Sequence, residues 1–149
     1  MAVSVSLTGK GTKIMSKKIK VVMAKLGLDI HWRGAVAVSR MLRDAGMEVV
    51  YLGNQFPEAI VNAAIQEGAD VVGLSTLGGN HSILGPKVVR LLREQGLKDV
   101  PVLLGGVIPP ADIPALKQGG IAEVFGPETK IEEIVDFIQL SLKAGEFVS

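Results

Sequence analysis

Residues 24–34 of this 149-residue chain read AKLGLDIHWRG, with Asp29 and His31 one residue apart, Lys25 four before the aspartate and Gly34 three after the histidine. An imidazole that ligates a metal through one ring nitrogen needs the other nitrogen held. A carboxylate accepting that N–H fixes the tautomer and raises the basicity of the ligating nitrogen. Lys25 can hold the carboxylate in turn. His31 is one of only two histidines and has no ligand companion in its loop, whereas a conventional zinc site takes three or four protein ligands. A single oriented histidine suits a metal already held by a macrocycle, which needs only an axial ligand.

Two further clusters carry polar or bare-backbone chemistry. "STLGGNHS" opens with Ser75 and Leu77, spaced S-x-L, and a second run holds Gly105-Gly106 followed by "VIPPAD". Ser75 offers a hydroxyl to a nitrogen or oxygen of a ligand. Adjacent glycines at a strand end leave a mouth free of side chains, so a long group can lie against backbone. Each feature has a plain alternative: a solvated Lys25–Asp29 pair, a simple turn at Gly105-Gly106, a helix-capping His31. His81 reads first as an exposed loop residue, and Trp32 as a contact to a partner or to the edge of a ligand.

Such loops need elements to position them. Apolar runs alternate with helical patterns from Ile19 onward: strands over 19–24, 48–52, 70–75, 100–106 and 122–126, and helices over 34–46, 57–68, 82–96, 110–120 and 130–145. In the first helix Ala35, Val38, Leu42 and Ala45 share one face. The fourth helix is short, and the last stripes Ile131, Ile134, Val135, Ile138 and Leu142. Pro opens and Gly closes the 57–68 segment, the usual asymmetry of a helix. Five strands each followed by a helix imply an α/β fold, a doubly wound five-stranded parallel sheet of flavodoxin-like (Rossmann-type) arrangement, order 2-1-3-4-5. Ligands of such sheets bind at the carboxyl ends of the strands, near the switch point between strands 1 and 3. The three clusters fall in the loops after strands 1, 3 and 4.

Composition bounds the rest. A net charge of +1 argues against non-specific nucleic-acid binding. Aromatic residues make up only 4% of the chain, so the core is aliphatic. The chain has no cysteine, which excludes disulfides and thiolate chemistry and suits a cytoplasmic location. No apolar run approaches the roughly 20 residues of a membrane span. Residues 1–18 read as a flexible arm, and 19–149 as one domain. A phospho-acceptor receiver would need an Asp ending strand 3 and a Lys ending strand 5, where this chain has Ser75 and "GPET". The Rossmann fingerprint G-x-G-x-x-G is also absent.

D-x-H-x-x-G, S-x-L and G-G, in that order and on those loops, resemble the cobalamin-binding domain that holds its cofactor base-off with a histidine below cobalt. "AKLGLDIHWRG", "GLSTL", "GGVIPP" and "VFGPETKI" are most similar to the methylmalonyl-CoA mutase type, and the likeness runs from about Ile19 to about Ala144. Trp32 departs from it, since that family usually carries a small acidic residue there.

The resemblance implies adenosylcobalamin as cofactor, His31 as axial cobalt ligand, Asp29 bonded to His31 and Lys25 bonded to Asp29. Gly34 would start a helix close under the nucleotide tail, flanked by Trp32 and Arg33 as further cofactor contacts. Ser75 would bond the dimethylbenzimidazole, Leu77 would wall its pocket, Gly105 and Gly106 would give the tail room, and Thr129 would touch its polar edge. No substrate-binding barrel accompanies the domain, so the expectation is a small subunit of a heteromeric acyl-CoA mutase, an isomerase inactive alone. Its partners would be a large TIM-barrel subunit and a G-protein chaperone. A non-mutase cobalamin carrier or sensor, the corrinoid protein of a methyltransferase, and a flavodoxin-like ligand domain in which His31 is incidental are the alternatives.

Overall fold

The computed structural model describes residues 18–26, 33–76 and 81–148. Strands and helices alternate as β1 (Lys20–Leu26), α1 (Arg33–Asp44), β2 (Glu48–Gln55), α2 (Pro57–Glu67), β3 (Val71–Thr76), α3 (His81–Glu94), β4 (Val102–Gly106), α4 (Ile113–Gln118), β5 (Glu123–Phe125) and α5 (Ile131–Val148), with a 3-10 turn at Pro110–Asp112 before α4. The five strands form one parallel sheet in the order β2-β1-β3-β4-β5. Apart from Lys18, the expected arm lies outside the described residues.

The order follows from burial. β1 and β3 sit inside the sheet with both faces covered, and their sequences KVVMAKL and VVGLST show near-continuous burial rather than alternation. Their side chains still divide by pleat. Val22, Ala24, Leu26, Val72 and Leu74 pack with Ile60, Val88, Leu92 and Leu116 under α2, α3 and α4. Val21, Met23, Val71 and Leu103 pack with Leu42 and Ile138 under α1 and α5. Each fully buried Val or Leu contributes about 1.5–3 kcal/mol, so the two aliphatic layers carry the fold without aromatic mass.

Local signals behave as their chemistry requires. α2 starts on Pro57 and ends at Gly68, whose φ of 63° lets its N–H bond the carbonyls of Ala64 and Ile65. The α1 stripe holds for Ala35 and Leu42, which are buried, but Ala45 is exposed. The helix ends at Asp44, and Ala45 belongs to the turn that follows. The buried neighbour is instead Ser39, whose hydroxyl donates to the Ala35 carbonyl at 2.8 Å. That local bond satisfies the group inside its own helix.

Candidate ligand cavity and its polar rim

Register brings the sequence-predicted residues into line. Lys25 of β1 stands opposite Ser75 of β3, Ser75 opposite Gly105 of β4, and Gly105 opposite Phe125 of β5. Paired residues of parallel strands point to the same side, here the side covered by α1 and α5. Lys25 is only 2% exposed on that side. A buried ammonium needs an anionic or hydrogen-bonding partner, because an unpaired charge in an apolar layer is strongly disfavoured. The expected partner Asp29 lies outside the described residues, as do His31, Trp32 and Leu77. Arg33 and Gly34 form the first turn of α1.

Between this face and the helices lies a cavity of about 360 Å³, within the size range of small-ligand pockets. Val21, Met23, Leu103 and Phe125 line its sheet side, and Ala35, Val38, Leu42, Ile134 and Ile138 its helix side. Four of the sequence-predicted residues, Ser75, Gly105, Gly106 and Thr129, meet around it. Ser75 and Thr129 are the only polar side chains among its described lining residues. Gly73, Gly105, Gly106 and Gly126 leave parts of the wall as bare backbone. A turn closed by the Thr129 N–H donating to the Gly126 carbonyl at 3.1 Å brings Thr129 to the rim. The arrangement fits a flat, largely apolar group with a polar edge.

The two glycines of the pair are not equivalent. A Cβ on Gly105 would meet the carbonyl oxygens of Phe125 at 3.7 Å and Leu74 at 3.9 Å, ordinary contacts. A Cβ on Gly106 would overlap the Thr76 carbonyl, and its φ of 136° disfavours any L side chain. Valine suits strands in general, but it does not fit this strand at 106. Gly106 ends β4 in a conformation that only glycine adopts comfortably, so its identity is required by the backbone before any ligand arrives.

His81 also departs from expectation. It is not an exposed loop residue but the first residue of α3, only 6% exposed, with Nε2 2.9 Å from Oδ2 of Asp112. Its Nδ1 and the Thr76 hydroxyl are buried and have no hydrogen-bond partner among the described residues. Sequence reasoning missed Asp112 altogether, because nothing local links two residues 31 apart. It also passed over Phe125 and Val107 as cavity residues. The end of strand 5 was the available clue to Phe125, since that strand shares the row of Ser75 and Gly105.

Among the described residues no group of three or more His, Cys, Asp or Glu side chains is arranged to hold a metal ion, and no helix is long and apolar enough to cross a membrane.

Comparison with known proteins adds an independent line. The profile of the B12 binding domain matches residues 19–136. The chain is 46% identical to the 2-hydroxyisobutanoyl-CoA mutase small subunit of Aquincola tertiaricarbonis, over 81% of this chain and 90% of that one. It is 42% identical to the pivalyl-CoA mutase small subunit of Xanthobacter autotrophicus, over 83% of each. It is 39% identical to the methylmalonyl-CoA mutase of Rhizobium meliloti, over 83% of this chain but 17% of that longer protein. Among solved structures it resembles a cobalamin-binding protein from Desulfitobacterium hafniense (TM-score 0.72, 24% identity, 84% of this chain and 60% of that one). It also resembles a response regulator from Chloroflexus aurantiacus (TM-score 0.69, 18% identity, 85% and 99%). These two likenesses speak to the fold alone: backbone shape does not separate a receiver from a cofactor domain, and the residues at the strand ends do.

Proposed function

We propose that this chain, which belongs to the B12-binding domain family, is the adenosylcobalamin-holding small subunit of a heteromeric acyl-CoA mutase. The observation that carries the reading is the convergence of Ser75, Gly105, Gly106 and Thr129 on one apolar cavity beside α1 and α5. That slot suits the displaced dimethylbenzimidazole nucleotide of a base-off cobalamin. The aliphatic walls would sandwich the flat base, Ser75 would bond its free ring nitrogen, and the bare backbone at 105–106 would leave a path for the tail. His31 would ligate cobalt from below, held by Asp29, which buried Lys25 would hold in turn. Trp32, Arg33 and Gly34 would line the approach at the start of α1, and Leu77 would close the pocket beyond β3.

When bound, adenosylcobalamin supplies a cobalt–carbon bond whose homolysis starts a radical rearrangement of the carbon skeleton; the protein supplies binding, orientation and the axial ligand. The first two relatives named above are small subunits of acyl-CoA mutases, and the present reading gives this chain a larger partner too, a TIM-barrel subunit that binds the acyl-CoA. A G-protein chaperone that loads or guards the cofactor belongs to the same reading.

The test is a titration of the purified chain with adenosylcobalamin, followed in the visible. A base-off, histidine-on spectrum at saturation supports the reading. A cofactor that keeps its own base on cobalt, or does not bind, overturns it.

A further inference from the structure

Asp112 occupies the N-cap position of α4, yet its side chain makes no capping bond to that helix. An aspartate there ordinarily accepts from the second or third N–H of its own helix, and Pro114 removes one of those donors. The carboxylate turns instead to His81 at the start of α3, 2.9 Å away. A carboxylate only accepts, so the His81 Nε2 carries the proton and donates it. The histidine side chain is 7% exposed and that of the aspartate 39%, so the pair reaches from the buried layer to the surface.

The position of this bond gives it a task. Thr76 and Gly106 are the last residues of β3 and β4, and they pair in the sheet. His81 and Asp112 lie where the chain next becomes helical after each strand. The two segments leaving neighbouring strands are therefore tied twice, at the strand ends by the ladder and at the helix starts by the His81–Asp112 hydrogen bond. Further along, α3 and α4 meet through close apolar contacts: added Cβ atoms on Gly119 and Gly120 would press on Pro86 and Val89. Residues 107–109, between the end of β4 and the 3-10 turn, have no regular pairing of their own, and they include Val107, a wall of the cavity that is 64% exposed.

We infer that His81 and Asp112 are positioning residues for cofactor binding: their bond clamps the turn after β4 against α3 and so preforms the Gly106–Val107 wall of the cavity. The inference rests on the cobalamin reading for its ligand but not for the clamp itself, which is a property of the free protein.

Three variants test it, Asp112→Ala, Asp112→Asn and His81→Gln/Asp112→Ala, each as the full chain. Adenosylcobalamin affinity is measured by visible titration, and backbone hydrogen exchange is measured without cofactor. Asp112→Ala should weaken binding by about tenfold or more, the scale of one hydrogen bond to a charged group. It should also speed exchange over residues 106–112 while α1 and α5 exchange as in the wild type. Asp112→Asn retains an acceptor for the Nε2 proton and should recover most of both properties, which a role for the charge alone would not allow. The double variant should lose no more than Asp112→Ala, because one bond is broken in each. Unchanged exchange at 106–112 in Asp112→Ala overturns the clamp. Faster exchange with wild-type affinity overturns its role in cofactor binding. If the wild type binds no cobalamin, the functional reading falls, and the exchange arm still decides whether the clamp exists.

Discussion

Ser75 of β3 and Gly105 of β4 stand directly opposite each other at the mouth of the apolar cavity, one offering a hydroxyl and the other no side chain. The pairing puts a hydrogen-bonding group next to open backbone, as a planar ligand with one polar edge requires. It also separates positions where a side chain would block a ligand from those where it would break the fold.

Gly105→Val tests the first kind. Its Cβ has ordinary contacts, and valine suits a strand. The free protein should keep its melting temperature within a few degrees, corresponding to about 1 kcal/mol or less, while adenosylcobalamin affinity falls by at least about tenfold. Calorimetry and a visible titration on the same preparation check it. Equal affinity would mean that the ligand does not pass Gly105.

Gly106→Val tests the second kind. Overlap with the Thr76 carbonyl and a φ of 136° should cost the free protein about 2–4 kcal/mol, visible as an earlier urea midpoint without any cofactor present. A midpoint equal to that of Gly105→Val would contradict the difference drawn between the two glycines.

His31→Ala and Asp29→Asn should differ in kind. Removing the imidazole should leave the bound cofactor without its histidine-on spectrum. Asn at 29 still accepts the imidazole N–H, so the spectrum should persist with affinity or activity lower by about 10–100-fold. An unchanged histidine-on spectrum in His31→Ala would show that another group ligates cobalt.

The purified chain with adenosylcobalamin should turn over no acyl-CoA, and activity should appear when a barrel subunit of an acyl-CoA mutase is added. Turnover by the chain alone would mean that it contains a substrate site of its own.

Glu123 of β5 bonds Lys117 of α4 at 2.9 Å. Its carboxyl is held below the usual range, first by that hydrogen bond, against desolvation, with the Val124 N–H and the Lys117 charge adding smaller amounts. A lowered folded-state value gives stability that is present above the ordinary glutamate range and lost as pH falls through the lowered value. Lys117→Met should therefore cost about 0.2–1 kcal/mol at pH 7, the scale of a largely solvated pair. The cost should vanish near pH 2, where the carboxyl is protonated in both states. Urea midpoints of wild type and variant at the two pH values are the measurement.

What the chain declares locally it declared well. Alternating apolar runs and helical stripes identify ten elements. Pro57 and Gly68 mark the ends of α2, and the βα alternation implies a parallel sheet, whose expected order 2-1-3-4-5 is the one observed. Ser75 and Gly105 could be singled out because a polar or bare residue at a strand end is conspicuous against valine and leucine, whereas Thr129 came only with the family resemblance. These are properties of a few neighbouring residues, and short-range periodicity and turn chemistry encode them. The tertiary structure decided what depends on contacts between distant segments. It set the register that lines up Lys25, Ser75, Gly105 and Phe125, turned His81 from an apparent loop residue into the buried partner of Asp112, and exposed Ala45 while burying Ser39. It also made glycine obligatory at 106, because the Thr76 carbonyl that excludes a side chain there belongs to another strand. No pattern within one segment carries that information: a residue's burial, partner and room are set by what the fold packs against it.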